Sequence, residues 1–367
     1  MAFYVTIFIV LLLFSFVEVF TKRNLFVKIL YWSACLFLFM LSFLRWETGT
    51  DWVNYYNYFQ RVLYRPYEYD EFEVGFRVLN YVVRSFTNEY TVLLFFLGLI
   101  LFLFQSKAIK ELSPFPLLSL TCLFASQAAN ILFVRQWVAV AILFYSIVYI
   151  KKSKFLPFLL FVLLATTIHR SAGIFIFAYW IFKAKISVKW MIILISFSIL
   201  FSFIVQELLN SLLGSFGGAV IQAKLNMYLN ETYNAEVNEQ HNFFLTLIRG
   251  VGNKLFILIF CICLFRKRME DEEIRGVLNI YWVGVLLYFI TIPISFALVR
   301  FSFAFDIVYI ILVAHIIKVF KKPSNKGVVF SVLLIYITLR LFQFLNSTYS
   351  EEFIPYKTID LFLKNSL

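Results

Sequence analysis

Twelve apolar stretches divided by short polar segments constrain this chain more than any other feature. They lie near residues 3–20, 26–44, 91–106, 115–134, 137–150, 155–168, 171–182, 190–206, 243–265, 277–299, 301–317 and 327–345. No single water-soluble core could hide so much apolar surface: 62% of the 367 residues are hydrophobic, 15% are charged, and mean hydropathy is +0.85. The pattern predicts an all-α fold: a polytopic integral membrane protein of about 12 transmembrane helices, residues 1–367 forming a single membrane domain. The stretch from Phe3 to Phe20 has no basic segment before it and no small-residue cleavage site after it, so it is expected to be a retained helix rather than a signal peptide. The stretches at 137–150, 155–168 and 171–182 fall short of the roughly 20 residues that a bilayer core requires. Short helices of this kind start inside the membrane or tilt around a cavity.

The charges give an orientation. If the Lys22, Arg23, Lys28 connection is cytoplasmic, alternate connections carry Lys107 and Lys110; Lys151, Lys152 and Lys154; Lys183, Lys185 and Lys189; Arg266, Lys267, Arg268 and Arg275; and Lys318, Lys321, Lys322 and Lys326. That places 19 of the 33 basic residues, 15 of them Lys, on the inner side, a positive-inside pattern that puts both termini outside. The net charge of +12 therefore speaks for lipid topology rather than nucleic acid. Of the 14 outer basic residues 10 are Arg. Topology is served by either cation, whereas a planar guanidinium adds forked recognition of phosphate and carboxylate oxygens. Two outer segments are long enough to be small structures: 45–90, read as one or two interfacial amphipathic helices, and 207–242, read as a polar loop that caps a cavity.

Four cysteines, Cys35, Cys122, Cys261 and Cys263, all fall within apolar runs, which favours core packing over a disulfide framework or a thiolate metal site. The chain has no glycine-rich phosphate loop, no HExxH and no internal repeat, so neither nucleotide-driven chemistry, nor a metal, nor another cofactor is expected. Strongly polar residues instead collect at the outer ends of predicted helices, in four places: Arg45 to Asp51, Arg135 with Gln136, His169 with Arg170, and Arg300. Ionisable residues flanked by apolar sequence cost several kcal/mol unless they are paired or face a wet cavity, so all four are candidate site residues. Together they suit an anionic lipid headgroup, in particular a diphosphate. Trp46, Trp52, Tyr55, Tyr56 and Trp137 would stack on sugar rings or form an interfacial aromatic belt. Asp306, within an apolar run, marks either a proton or cation path or a structural pair with an Arg or a hydroxyl.

These same residues carry a resemblance. RWETGTDWVNYY at 45–56, VRQWVAVAI at 134–142, IHRSAGIFI at 168–176, LVRFSFAF at 298–305 and IPY at 354–356 are similar to the ordered motifs of the EpsG-like polysaccharide polymerases, a branch of the Wzy class that makes O-antigen, capsule or exopolysaccharide. The resemblance implies a GT-C-like arrangement with short broken helices around an outer-leaflet cavity in the bacterial cytoplasmic (inner) membrane. It further implies transfer of a growing glycan from undecaprenyl diphosphate to a lipid-linked repeat unit at the outer face, without metal or nucleotide sugar. Donor and acceptor would both be undecaprenyl-diphosphate-linked oligosaccharides, with membrane lipid and a chain-length regulator protein as further partners and no nucleic acid. Matched positions are Arg45, Asp51, Arg135, Gln136, His169 and Arg300.

In such a transfer Arg135, Arg170 and Arg300 would stabilise the leaving diphosphate. His169 is the first choice for accepting the hydroxyl proton and Asp51 the second. Trp52, Tyr55 and Tyr56 would contact sugar. The competing readings are an O-antigen ligase, a flippase for lipid-linked oligosaccharides, and an acyltransferase acting on surface glycans.

Overall fold

The computed structural model describes residues 1–21, 25–64, 72–204, 243–266, 269–294, 296–347 and 350–359. The predicted cap at 207–242, and the basic residues Lys22, Arg23, Lys267 and Arg268, lie outside the described residues. In chain order the helices are α1 (Ala2–Phe20), α2 (Leu25–Leu44), α3 (Trp52–Arg61), α4 (Val74–Phe86), α5 (Tyr90–Leu112), α6 (Pro116–Gln127), α7 (Gln136–Lys151), α8 (Phe155–Ile168), α9 (Ala178–Lys183), α10 (Val188–Phe201), α11 (Phe243–Gly250), α12 (Phe256–Phe265), α13 (Glu272–Thr291), α14 (Phe296–Asp306), α15 (Tyr309–Val319) and α16 (Pro323–Leu345). Among the described residues there is no strand. The fold is all-α, and each of the twelve apolar stretches carries helix.

Seven segments of the described residues are long and apolar enough to cross a membrane, among them Leu247–Phe265, which runs through α11 and α12, and Leu298–Val319, which runs through α14 and α15. α7, α8 and α10 are apolar but shorter. Helices are the expected form, because lipid offers no partner to an exposed amide and a helix satisfies its own. The chain divides into two compact units, Met1–Ile176 with Val313–Leu367, and Phe177–Leu312.

In the first unit α5 packs on α2 and α7, α7 on α8, and α6 on both α1 and α16. α7 is buried on nearly every side, as suits a helix apolar all round its circumference. Its 16 residues rise about 24 Å. α1 and α2 instead expose rows of large apolar side chains, Leu13 and Phe16 on the one and Ile29, Leu36 and Met40 on the other, surfaces suited to lipid. Two amphipathic helices, α3 and α4, occupy the described part of 45–90. α4 buries Phe76, Asn80 and Val83 and turns Val74, Val78, Val82 and Phe86 outward, an apolar stripe of the kind that lies in a membrane interface.

The stretch at 115–134 is not the full-length helix predicted. α6 ends at Gln127, and Ala128, Ala129 and Asn130 follow with φ of +46°, +53° and +66°. Three successive non-glycine residues in the left-handed region cost about 1–2 kcal/mol each, and tertiary contacts override the helical preference of the apolar sequence. All three are fully buried. Asn130 Nδ2 donates to Gln105 Oε1 at 2.8 Å and Gln105 Nε2 to the Ala129 carbonyl at 3.4 Å, so protein groups supply what the absent helix would have. The segment predicted at 171–182 likewise opens with a 3₁₀ stretch, Arg170–Phe177, before α9.

The second unit is built on α13, which is buried along most of its length and packs against α9, α10 and α14. Asp271 caps it, accepting from the amides of Glu273 at 3.0 Å and Ile274 at 3.3 Å. The predicted break at Arg300 falls earlier instead: α13 stops at Thr291, just before Pro293, and Arg300 lies within α14. Proline lacks an amide hydrogen to continue the ladder, which accounts for that end, although Ile292 before it keeps helical dihedrals.

Candidate functional site

The segment after α2 is held by the end of the chain. Arg45 forms an antiparallel bridge with Thr358, the Trp46 amide donates to the Lys357 carbonyl at 3.0 Å, and the Gly49 amide to the Glu352 carbonyl at 2.7 Å. The Lys357 amide in return donates to Thr48 Oγ1 at 3.1 Å, and the Tyr356 hydroxyl donates to the Leu41 carbonyl. The IPY segment and the RWETGTD segment are therefore one structure. Gly49 has φ +111° and lies so close to the loop after α6 that a Cβ there would meet the Leu132 carbonyl at 2.2 Å and Arg45 Nη1 at 2.5 Å. Only glycine fits that position.

Arg45 is sealed inside this wall, 1% exposed, with Nη1 donating to the Thr48 carbonyl at 2.9 Å. Burial pulls its guanidinium below the ordinary arginine range, while the hydroxyls of Tyr90, Tyr356, Tyr4 and Tyr55 favour the charged form. Arginine stays charged through such a shift. Arg45 Nε, Trp52 Nε1 and the Tyr90 hydroxyl are all buried without a hydrogen-bond partner among the described residues, so the wall keeps unused polar capacity. Asp51 is exposed, has φ +60°, and precedes α3 without a side-chain capping bond.

The aromatics expected to meet sugar pack chiefly on one another. Trp52 stacks on Tyr56 with centroids 5.0 Å apart, and Trp46 meets the Trp52 edge at 5.0 Å. Trp52 and Tyr55 are buried, and Tyr56 is partly exposed. Trp137 is buried beside Phe133.

The turn ahead of α7, the residue ahead of α4 and the turn after α8 meet at one carboxylate. Glu73 Oε2 accepts from Arg135 Nη1 at 2.7 Å, and Glu73 Oε1 accepts from the Arg170 amide at 2.9 Å. The Arg135 guanidinium lies over Phe72 at 4.7 Å and over Tyr55 and Phe76 at 5.9 Å each. A desolvated guanidinium against aromatic faces gains cation–π attraction in addition to its ion pair. His169 ends α8, buried, with Nδ1 2.8 Å from Ser171 Oγ and 3.3 Å from the Ser171 amide nitrogen. The Arg170 side chain is exposed, and Gln136, half-buried, opens α7.

Of the residues singled out in the sequence, this cluster gathers Arg135, His169, Arg170 and Tyr55, with Gln136 adjoining in the chain. The sequence reading missed Glu73 and, although it quoted the histidine-serine motif, gave Ser171 no role. Ser171 lay in the quoted IHRSAG motif and could have been found as a hydroxyl two residues beyond the histidine, whereas Glu73 has no distinguishing local signal among the carboxylates around it.

Arg300 lies in the second unit, exposed on α14. That unit also contains Asp306, whose Oδ2 accepts from Lys254 Nζ and, at 2.8 Å, from Ser302 Oγ. Of the two readings left open for Asp306, the ion pair and hydroxyl bond correspond to the structural one, although the cation is a lysine.

A model of the EpsG family matches residues 28–358. No curated protein and no solved structure gives a match.

Proposed function

The chain belongs to the EpsG family, and from that premise we propose that it is a polysaccharide polymerase acting at the outer face of the bacterial cytoplasmic membrane. Its donor is a growing glycan on undecaprenyl diphosphate and its acceptor is the terminal sugar of a lipid-linked repeat unit. The observation that carries this reading is the convergence of Arg135, Arg170 and His169 on one turn of the first unit, where positive charge, a backbone donor and an imidazole suit a diphosphate leaving group.

In the proposed step the acceptor hydroxyl attacks the anomeric carbon, the bond from that carbon to the diphosphate oxygen breaks, and the electron pair leaves with undecaprenyl diphosphate. Arg135 and Arg170 stabilise the charge that develops there. His169 takes the hydroxyl proton at Nε2 in the tautomer whose Nδ1–H donates to Ser171 Oγ, giving up the bond that the Ser171 amide donates to a bare Nδ1. Arg45 and Gly49 shape the wall, and Asp51 and Tyr56 are its exposed polar and aromatic contributors. Twelve crossings, with α6 to α10 among the short ones, and outward-facing termini complete the proposed topology.

Purified protein supplied with a synthetic lipid-linked repeat unit should form a ladder of polymers, and unchanged single units would overturn the assignment. In cells a deletion should accumulate single units, whereas long free lipid-linked polymer would point to a ligase. A tag at the N-terminus should be accessible from outside, and a cytoplasmic tag would overturn the topology.

A further inference from the structure

Both oxygens of Glu73 are taken by donors that also suit a phosphate, a guanidinium edge and a backbone N–H. The Arg135 contact is a one-point contact. Only Nη1 engages the carboxylate, and Nε is buried without a hydrogen-bond partner among the described residues. A guanidinium has five N–H donors in a fork, so this one holds capacity that a single carboxylate oxygen does not use. Phe72, Tyr55 and Phe76 hold Arg135 by its faces, independently of Glu73. Arginine therefore stays placed when the carboxylate leaves. The Arg135 and Glu73 side chains retain 14% and 10% exposure, so the pair is covered but not sealed, unlike Arg45 at 1%. The Arg170 amide holds the other oxygen, so one guanidinium and one backbone N–H face the carboxylate, the donor set that a phosphate oxygen pair also takes.

We propose that the Glu73 carboxylate occupies this chain's own anion subsite, and that a diphosphate group displaces it from Arg135 and the Arg170 amide on binding. The inference rests on the reading of this cluster as a lipid-diphosphate site. A free pyrophosphate and a prenyl diphosphate share the chemistry that the subsite recognises. Because the resident carboxylate must first be moved, wild-type affinity is reduced by the fraction of molecules in which the subsite stands open.

The full chain in nanodiscs is titrated with inorganic pyrophosphate and, separately, with farnesyl diphosphate, for wild type and Glu73→Gln. Glu73→Gln should bind at least one of them about tenfold more tightly, about 1.4 kcal/mol. Tightening for both shows that the diphosphate group suffices, and tightening for farnesyl diphosphate alone shows that the lipid is also needed. Adding Arg135→Ala should abolish the gain.

A second readout needs no substitution and so survives a Glu73→Gln chain that fails to fold. Carbodiimide-driven amidation of Glu73 in wild type, followed by mass spectrometry, should rise when the ligand that binds is added. Unchanged or weaker affinity in a folded Glu73→Gln protein, or Glu73 labelling that stays level or falls, would overturn the proposal and make Glu73 a fixed brace. Diphosphate binding in the predicted manner without joining of repeat units would end the polymerase reading and keep the subsite. Polymerisation with no effect of Glu73→Gln on affinity would do the reverse.

Discussion

Among the described residues two ion pairs are largely buried, one in each compact unit, and they are built differently. Glu73 and Arg135 come from helix beginnings, one just ahead of α4 and the other just ahead of α7, and a turn amide completes the set. Lys254 and Asp306 come from within apolar helical segments, the lysine on the π-helical turn Val251–Leu255 between α11 and α12 and the aspartate at the end of α14. The second pair is knitted into the surrounding helices. Ser302 donates to the same carboxylate oxygen at 2.8 Å, Tyr288 lies 4.5 Å from Lys254 Nζ, the Tyr281 hydroxyl donates to the Lys254 carbonyl at 3.0 Å, and Gly284 leaves the room that Asp306 occupies. Exposure does not separate them, at 14% and 10% for one pair and 17% and 16% for the other. What separates them is their place: the beginnings of helices after polar turns are where headgroups and water reach, and a pair inside two long apolar segments chiefly neutralises itself.

On that distinction the largest effect on stability belongs to the second pair. Asp306→Ala leaves Lys254 without its carboxylate and should cost about 3 kcal/mol of stability, seen as a lower melting temperature in detergent. Activity per folded molecule should stay within about threefold of wild type. Replacing both partners, Lys254→Leu with Asp306→Leu, should recover most of the lost stability, since an apolar pair leaves no charge unpaired. A folded Asp306→Ala protein without activity would break the comparison by giving the second unit a chemical role.

The next largest effect belongs to the first pair and appears in turnover instead. Arg135→Ala should lower polymerisation of a lipid-linked repeat unit about 100-fold, and Arg135→Lys about tenfold, because lysine keeps the charge but loses the fork. Near-normal rates for Arg135→Lys would mean that point charge alone matters at this site.

The helices were legible because apolar runs carry their own signal, and the clusters at helix ends because charges flanked by apolar sequence are costly. What escaped was tertiary. Glu73 meets an arginine 62 residues away, and nothing in its neighbourhood marks it over the other carboxylates of the same stretch. Lys254 was counted only as an outer base, although its partner was legible in principle. It comes seven residues after Leu247 and Asp306 eight after Leu298, which by helical rise places each about 10–12 Å from the starts of their segments. The early end of α6 had no signal at all, since Ala128 and Ala129 contain neither glycine nor proline to announce a left-handed turn. Arg45 was grouped with the residues suited to an anionic headgroup, and its burial depends on the tail at 352–358, which sequence linked to it only through family resemblance.

The smallest effect tests the imidazole beside the first pair. Ser171 Oγ lies 2.8 Å from His169 Nδ1, and its amide nitrogen lies 3.3 Å away, so one residue supplies two groups at the same ring nitrogen. The hydroxyl serves either tautomer, donating to a bare Nδ1 or accepting from Nδ1–H, whereas the amide only donates. Removing the hydroxyl therefore removes what steadies the tautomer whose Nε2 is free to take a proton. A neutral hydrogen bond of this kind contributes about 1 kcal/mol, so Ser171→Ala should slow polymerisation about fivefold, with little change in the substrate concentration needed. His169→Ala should slow it far more. The informative protein is the double variant: if Ser171 acts through the ring, Ser171→Ala adds nothing once His169 is gone. A further fivefold loss in that background would instead give the serine a contact of its own and remove it from the role of orienting His169.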